Sequence, residues 1–330
     1  MTDSVLICGS MAFDSIALFE GRFRDHFLAD KLHAISVSFL VPTMRRDFGG
    51  CAGNIAYGMS VLGGRPIPVA TVGEDAGDYL NRFQDLGIDV SRIRVVPDTL
   101  TATCYITTDE ESNQITAFHP GAMAYSADND LTGSMAHSAD NDLTSTKVCL
   151  AIVAPDAKEG MIAHAAKLHA AGIPFIFDLG QAMPLFSGGD MLDMLKTASA
   201  MTVNEYEAGV VEQRTGKSLE ELSRRLVALV VTRGAEGATL YQGGEQYTIA
   251  PVAVADAVDP TGCGDAHRAG LLFGLSSKLS WLDSCKIGNL MGALKIAHRG
   301  PQGYAPDRSE IAAQLQAAYS LTLPDQHKSV

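Results

Sequence analysis

The chain alternates short apolar strands with longer helical segments, and this alternation limits the folds it can adopt more than any other feature. Predicted helices over residues 75–86 and 157–171 are each followed by a glycine, the residue that most often ends a helix. The predicted strands are 5–9, 66–73, 147–154, 173–178, 200–203 and 228–233, with further helices over 52–63 and from Asn204. Strand–helix–strand units of this kind set parallel strands side by side with helices on both faces. The pattern therefore predicts an α/β fold, a three-layer α/β/α arrangement around a central, mainly parallel sheet.

Two pairs of strand-like segments interrupt this alternation. Residues 15–19 and 34–40 are rich in Ile, Leu, Val and Phe, and residues 101–108 and 113–118 flank a turn-forming stretch. Such hairpins need not belong to the parallel sheet. We expect segments of about 14–45 and 100–120 to form a small β-sheet that lies over its edge as a lid. Residues 1–330 are then a single domain with a lid subdomain.

Composition and charge argue against several classes of partner. The 330 residues are 46% hydrophobic and 19% charged, which is ordinary for a globular protein. A formal net charge of −13 without any basic run argues against a nucleic-acid surface. The N-terminus has no basic segment before an apolar stretch, and the longest apolar runs have strand length, so we predict neither a signal peptide nor a membrane span. Six cysteines without paired spacing indicate free thiols in a cytoplasmic protein, and both a monomer and a homodimer are compatible with the sequence.

One internal repeat is plain. Residues 121–132, GAMAYSADNDLT, are followed directly by residues 133–144, GSMAHSADNDLT, and ten of the twelve positions are identical. Twelve residues are too few for a unit of a repeat architecture. The acids Asp128, Asp130, Asp140 and Asp142 lack the glycine and the distal glutamate of an EF-hand. We interpret the repeat as a tandem duplication that lengthens a surface loop or a helix start rather than as a calcium site.

The stretch DPTGCGDAHRAG, residues 259–270, contains the residue types that phosphoryl transfer needs. Gly262, Cys263 and Gly264 stand directly before Asp265, and an apolar helical run follows. Small residues leave the backbone N–H groups of the helix start uncovered, and these groups with the helix dipole bind anions. The carboxylate is suited to accept the proton of an attacking hydroxyl while the amides hold the transferring group. The alternative is that Asp265 only caps its helix.

A second glycine-containing stretch, FGGCAGNIA at residues 48–56, has the features of a hydroxyl-binding site. Gly49 and Gly50 precede a helix and let a ligand approach the backbone, and the Asn54 amide can both donate and accept hydrogen bonds. Asp14 follows the first strand, and ligands bind at strand C-terminal ends in open α/β sheets. An acid and an amide at such ends suit a polyhydroxylated substrate. A turn or cap role explains either residue equally well.

Together, these two stretches resemble the signatures of the ribokinase-like (PfkB) family of carbohydrate and nucleoside kinases. Residues 49–56 match the first signature, and residues 259–265 with 269–272 match the second. The resemblance extends over essentially the whole chain. It implies the ribokinase-like fold with a β-sheet lid and a kinase that uses ATP and Mg²⁺. It assigns substrate hydroxyls to Asp14, Gly49, Gly50 and Asn54, and catalysis to Asp265 with the amides of Gly262, Cys263 and Gly264.

Two further stretches are similar to the family's nucleotide-binding elements. Asn204 and Glu207 match the N-x-x-E motif, whose acid organises Mg²⁺ through water, and a helix cap is compatible with the same two residues. Thr232, Gly234 and Gly237 match the T-x-G-x-x-G loop that receives the nucleotide, although an ordinary hairpin turn would look the same.

Two other positions follow from the resemblance by analogy alone. Residues 289–298, beginning at Asn289, and the loop 300–303 are expected to border the adenine. Relatives often bind a monovalent cation beside an acid at the position of Asp259, which leaves a K⁺ ion open.

Within the family, residues 117–123 and 259–270 are most similar to bacterial adenosine kinases and related nucleoside kinases. Phe118 on the expected lid could stack on a purine, with Phe13 and Phe39 as further walls, and each ring could equally be core packing. Gln181 follows a predicted strand end and could bind a base edge or cap a helix. His267 in place of an aromatic residue and Leu179 in place of a proline depart from the family pattern.

We therefore expect a kinase that transfers the γ-phosphoryl group of ATP to the 5′-hydroxyl of adenosine or another purine nucleoside. The alternative is a sugar kinase acting on ribose, fructose or a related sugar. A dinucleotide-dependent dehydrogenase is disfavoured because no G-x-G-x-x-G follows the first strand. A non-catalytic binding protein on the same fold stays open, although Asp265 and the N-x-x-E residues argue against it.

Overall fold

The computed structural model describes residues 3–27, 36–111, 113–131 and 148–325. The strands are β1 (Ser4–Cys8), β2 (Ala12–Leu18), β3 (Thr43–Gly49), β4 (Pro66–Val72), β5 (Ile93–Val95), β6 (Ala102–Thr108), β7 (Gln114–His119), β8 (Val148–Val153), β9 (Phe175–Asp178), β10 (Ala200–Asn204), β11 (Ala228–Thr232), β12 (Ala238–Gln242) and β13 (Glu245–Ile249). The α-helices are α1 (Cys51–Val61), α2 (Gly77–Asp85), α3 (Lys158–Ala170), α4 (Gly188–Leu195), α5 (Glu205–Thr215), α6 (Leu219–Ser223), α7 (Cys263–Ser276), α8 (Trp281–Ile296) and α9 (Arg308–Tyr319).

The central sheet has nine strands in the order β13-β12-β11-β10-β9-β8-β1-β4-β5. Neighbouring strands are parallel except for β11–β12 and β12–β13 at one edge, which are antiparallel. All residues of β1 and β4 are buried, as expected for parallel strands with helices on both faces. The prediction of a mainly parallel central sheet is confirmed.

Helices cover both faces of this sheet. Successive side chains of a strand point to opposite faces, so Leu6 packs in the core under α3 to α6, and Val5 and Ile7 pack in the core under α1, α2 and α7. A further apolar cluster joins α8 and α9 to the outside of α7. The three-layer arrangement is thus confirmed, and it fixes the starts of α1 and α7 relative to the strand ends.

The second sheet has four strands in the order β3-β2-β6-β7. The central pair, β2 and β6, is parallel, and the two outer pairs are antiparallel. The predicted hairpin of residues 101–108 and 113–118 is confirmed as β6 and β7. A small sheet beside the large one was expected from the sequence, whereas the division into a kinase domain and a lid at 14–45 and 100–120 stays a prediction.

The predicted partner of β2 was wrong. Residues 36–40 form no strand, and residues 34 and 35 lie outside the described part of the chain. The strand that pairs with β2 is β3, whose sequence TMRRDFG is mostly exposed. An edge strand in contact with solvent has little need of apolar side chains, so the more apolar residues 34–40 have the stronger strand pattern although they are not the partner.

The first copy of the internal repeat forms a 3₁₀ helix, Gly121–Asp128, that packs against α3 with Ala122 and Ser126 buried. The second copy lies outside the described residues. Within the described ranges, no three His, Cys, Asp or Glu side chains are grouped as metal ligands. Searched over the same ranges, no helix combines the length and the apolar character that crossing a bilayer requires.

Candidate active site

Two helix N-termini, those of α1 and α7, meet at the predicted site. Each begins at a glycine with positive φ: Gly50 at 84° and Gly262 at 79°. A Cβ on Gly50 would lie 2.6 Å from Ser10 O, and one on Gly262 would lie 2.7 Å from Pro301 Cβ, so both positions need glycine. Among the described residues, no side chain caps the start of α7. In its first turn, the Cys263 N–H donates to Pro260 O at 3.2 Å, whereas no hydrogen bond joins the N–H groups of Gly264 and Asp265 to any residue that the structure describes. These two N–H groups are free to meet an anion, and the anion site itself stays a prediction.

A hydrogen bond joins the two glycine-rich stretches. Asn54 on α1 donates from Nδ2 to Asp265 Oδ2 on α7 at 2.8 Å. Gln302 donates from Nε2 to Asn54 Oδ1 at 3.1 Å and to the Tyr79 hydroxyl at 2.6 Å. Because the amide oxygen of Asn54 accepts from Gln302, its amino group is directed at Asp265. The hydroxyl-binding candidate and the candidate base are therefore in direct contact.

Asp265 and Asp14 are both partly buried carboxylates with raised pKa values. Burial raises the pKa of Asp265 to about 6, against the opposing effects of the Arg268 charge and the Asn54 hydrogen bond. Burial and the neighbouring Asp47 carboxylate raise the pKa of Asp14 to about 6. The two acids are thus more basic than ordinary aspartates, which suits proton acceptance near neutral pH.

Asp14 lies in a row of side chains on one face of the small sheet. Asp47, Asp14, Cys104 and Phe118 are directly paired on adjacent strands, and directly paired residues point to the same face. A Cβ on Gly49 would be 2.6 Å from Asp14 Oδ2, so the carboxylate lies against the glycines that start α1. The Phe118 ring, 51% exposed, is on the Asp14 face and open to contact.

Phe13 has the core environment that the sequence left open beside a role as a pocket wall. Its side chain is 2% exposed, it contacts Phe48 and Tyr79, and the Arg46 guanidinium lies 3.4 Å above its ring. The ring is a core residue and not a free pocket wall, because every face of it is packed. Gln181, by contrast, is exposed on the 3₁₀ helix Gly180–Leu185 that follows β9.

Asn204 and Glu207 form a capping box at the start of α5. Asn204 Oδ1 accepts from the Glu207 N–H at 2.8 Å, and Glu207 Oε2 accepts from the Asn204 N–H at 2.7 Å. Burial and the nearby Asp178 raise the pKa of Glu207. One carboxylate oxygen engaged in the cap leaves the other for a hydrated ion, and Mg²⁺ keeps several waters in protein sites. The donor chemistry of this residue therefore fits a water-mediated magnesium contact.

The T-x-G-x-x-G stretch is the turn between β11 and β12. Thr232 ends β11, and Gly234 and Gly237 both have positive φ. A Cβ on Gly237 would lie 2.1 Å from Ile249 O, so the turn packs closely against the end of β13. On α8, Asn289 Nδ2 donates to Ala250 O at 3.0 Å, which ties that helix to the same strand end. A nucleotide role for these residues stays a prediction.

Asp259 connects two loops through hydrogen bonds. Its two carboxylate oxygens accept the N–H groups of Thr261 at 2.9 Å and Gly300 at 2.8 Å, and its carbonyl accepts from Lys295 Nζ at 2.6 Å. Burial acts to raise its pKa, but these backbone hydrogen bonds more than offset it, so the pKa is lowered. Because the Lys295 ammonium group is so close and both carboxylate oxygens of Asp259 already accept hydrogen bonds, Asp259 is not favoured as a ligand of potassium. The reaction proposed below uses no potassium ion.

The sequence did not single out several residues of the site. Gln302 and Tyr79 orient Asn54, and the Cys51 thiol is among the groups that lower the pKa of Asp265. Arg268 on α7 forms a buried ion pair with Asp178 at the end of β9. An arginine inside an otherwise apolar helical run was the one signal that could have pointed to the pair.

Comparison with known proteins agrees with this geometry. Residues 14–308 match the model of the pfkB family carbohydrate kinases. The nucleoside kinase of Burkholderia thailandensis in complex with inosine is 47% identical, with a TM-score of 0.83 over 96% of this chain and 99% of that one. The same enzyme has been solved in complex with ADP-inosine. The nucleoside kinase of Methanocaldococcus jannaschii is 25% identical over 88% of this chain and 92% of its own length. The aminoimidazole riboside kinase of Salmonella typhimurium is 26% identical over 84% of this chain and 92% of its own.

These relatives carry the names of nucleoside and riboside kinases, and the family match extends over residues 14–308, most of the chain. The fold, the paired glycine-rich helix starts and the Asn54–Asp265 contact are consistent with it. The chain belongs to the pfkB family of carbohydrate kinases and is a nucleoside or sugar kinase, a phosphotransferase that acts on a hydroxyl group.

Proposed function

We propose that the chain transfers the γ-phosphoryl group of ATP to the 5′-hydroxyl of a purine nucleoside. The observation that carries this proposal is the 2.8 Å hydrogen bond from Asn54 to Asp265. It sets a group able to bind a sugar hydroxyl against a carboxylate at the open N-terminus of α7. A hydroxyl, its base and a phosphoryl group can therefore meet at one point, as in-line transfer requires.

In this reaction Asp265 accepts the proton of the 5′-hydroxyl as the oxygen attacks phosphorus. The new bond forms between that oxygen and the γ-phosphorus, the bond from the γ-phosphorus to the β-phosphate oxygen breaks, and ADP leaves with the electron pair. With a pKa of about 6, Asp265 is mostly ionised at pH 7 and is still a stronger base than an ordinary aspartate. The uncovered amides of Gly262, Gly264 and Asp265 stabilise the charge on the transferring oxygens.

Magnesium, when bound, neutralises phosphate charge and orients the leaving group. Glu207 is the residue of this chain that would hold it through water, and the capping box with Asn204 fixes the Glu207 carboxylate. Asp14 would bind sugar hydroxyls, because it lies against Gly49 at the start of α1.

Recognition of the substrate's nucleobase depends on Phe118. The ring lies on the same face of the small sheet as Asp14 and is half exposed, so a sugar bound at Asp14 would bring its base toward that ring. Stacking on an aromatic ring contributes about 1–3 kcal/mol per base. The similarity to a nucleoside kinase that binds inosine supports a purine nucleoside as substrate.

The test is ADP release with ATP and Mg²⁺ over a panel of adenosine, inosine, guanosine, cytidine, ribose and fructose. We expect at least one purine nucleoside to have the highest kcat/KM. Faster turnover of ribose or fructose would replace this proposal with the sugar-kinase alternative. Absence of turnover with every compound, in a protein that melts cooperatively, would contradict kinase activity itself.

A further inference from the structure

The helix that carries Asp265 also carries a buried arginine. Arg268 lies three residues after Asp265, its side chain is 7% exposed, and that of its partner Asp178 is 1% exposed. Arg268 Nη2 donates to Asp178 Oδ1 at 2.7 Å, and Arg268 Nε pairs with Oδ2 of the same carboxylate. Two contacts to one carboxylate hold the planar guanidinium in one orientation.

Stability alone is a weak explanation for this pair. Desolvation of two charges offsets most of their mutual attraction, so a buried ion pair is often no better than two apolar side chains of similar volume. Most of the buried positions near Arg268 on α7 are indeed apolar, such as Ala266, Ala269 and Leu271, although the adjacent His267 is buried as well. The explanation therefore has to come from what the guanidinium faces.

The third guanidinium nitrogen faces the start of α7. A Cβ on Gly264 would be 2.7 Å from Arg268 Nη1, so this nitrogen lies directly against the first turn. Asp178 engages Nη2 and Nε, and no hydrogen bond joins Nη1 to any other residue that the structure describes. A cationic N–H donor is thus held beside the amides that form the anion site.

We propose that Arg268 binds the transferring phosphoryl group together with the first-turn amides of α7, and that Asp178 is the positioning residue that holds the guanidinium there. This inference rests on the proposed kinase function. Guanidinium N–H groups match phosphate oxygens, and a cationic contact neutralises charge that develops during transfer. Gly264 then has a specific role, because any side chain at that position would displace Nη1.

Arg268 also affects the general base, Asp265, so the pH dependence of kcat gives a second, separate test. Its positive charge is the largest of the effects that lower the pKa of Asp265 against burial. Removing that charge should therefore raise the pKa of Asp265 and move the acid limb of the pH–kcat profile upward from about pH 6. The titratable or charged groups that face Asp265 are Arg268 and Cys263 on α7, Asp178 on β9, Cys51 on α1, Tyr79 on α2, and Tyr304 after α8.

The experiment compares wild type with Arg268→Met, with the apolar double variant Arg268→Met/Asp178→Leu, and with Gly264→Ala. Arg268→Met alone leaves Asp178 buried and unpaired and can fail to fold, whereas the double variant removes both charges and restores packing. Lys158→Met, which breaks the partly exposed pair with Asp190, is the control for loss of a cation. Gly77→Ala is the control for a helical glycine, because a Cβ there contacts nothing within 4 Å. The measurements are melting temperature, nucleoside affinity without ATP, and kcat against pH.

We expect the double variant to fold and to bind nucleoside like wild type, with kcat lowered roughly 10²-fold, the usual cost of removing one donor to a developing anion. The acid limb of the double variant's pH–kcat profile should move to higher pH. Gly264→Ala should also lower kcat, and the two controls, Lys158→Met and Gly77→Ala, should retain wild-type kcat. A folded double variant with wild-type kcat and an unmoved acid limb would overturn the inference and leave the proposed function standing. A wild-type protein without any phosphoryl transfer would overturn both.

Discussion

Replacing Asn54 with aspartate tests the contact on which the site depends. In Asn54→Asp, the amino group that donates to Asp265 becomes a carboxylate oxygen, while Gln302 can still donate to the other oxygen. Two carboxylates then face each other across a distance that is 2.8 Å in the native protein. Such a pair cannot ionise fully at neutral pH, and the two groups share a proton.

The size of the effect follows from that distance. At an effective dielectric constant near 20, two unit charges 2.8 Å apart repel by about 6 kcal/mol. Since one pKa unit corresponds to about 1.4 kcal/mol, even half of this repulsion moves the acid limb of the kcat profile upward by about two pH units. With the pKa of Asp265 at about 6, turnover at pH 7 should fall by roughly tenfold and recover near pH 9.

The assay is ADP release at saturating nucleoside between pH 5 and pH 10, so that a weaker hydroxyl contact affects KM and not the profile. Asn54→Ala serves as the matched control, because it removes the donor without adding a charge and should move the limb by about one pH unit. Recovery at high pH distinguishes electrostatic repulsion from misfolding. An acid limb that stays near pH 6 in Asn54→Asp would refute the assignment of that limb to Asp265.

Three further outcomes follow from the site. Gly262→Ala places a Cβ 2.7 Å from Pro301 at a φ of 79°, so kcat should fall and the free energy of unfolding should drop by more than about 1 kcal/mol in a denaturant titration. Phe118→Ala should weaken purine nucleoside binding by roughly tenfold in calorimetry, whereas Tyr105→Ala, an exposed ring on the opposite face of the sheet, should not. Burial raises the pKa of Asp265, so the stability that this carboxyl contributes is present below about pH 4 and lost as the pH rises through about 6. Asp265→Asn should therefore raise the free energy of unfolding by roughly 2 kcal/mol at pH 8 and leave it unchanged at pH 4, and equal effects at both pH values would contradict the raised pKa.

Local sequence patterns were sufficient for much of the fold. Inner strands of the central sheet such as β1 and β4 are buried on both faces, so they appear as continuous apolar runs that are easy to recognise. Glycines with positive φ mark the starts of α1 and α7, and their small size is the feature from which the anion site is predicted. In contrast, β3 is an exposed edge strand with the sequence TMRRDFG, and a polar edge strand carries no apolar alternation to detect.

The partners that orient the site could not be found in this way. Gln302 contacts Asn54 across 248 positions, and Arg268 contacts Asp178 across 90 positions. Neither pair has a local spacing, because only the packing of α1, α7 and β9 brings the residues together. Phe13 shows the converse: its place on β2 near Asp14 suggested a pocket wall, but its neighbours on β3 and α2 cover the ring.

The most direct test of the account is the turnover of Asp265→Asn compared with Asp283→Asn. Both aspartates occupy the third position of their helices, α7 and α8, so a capping role would affect the two variants alike. We predict that Asp265→Asn binds nucleoside normally and loses at least roughly 10²-fold in kcat with ATP and Mg²⁺, as expected for loss of a general base, while Asp283→Asn retains wild-type kcat. A folded Asp265→Asn protein with kcat close to that of wild type would contradict the central claim that Asp265 receives the proton of the attacking hydroxyl.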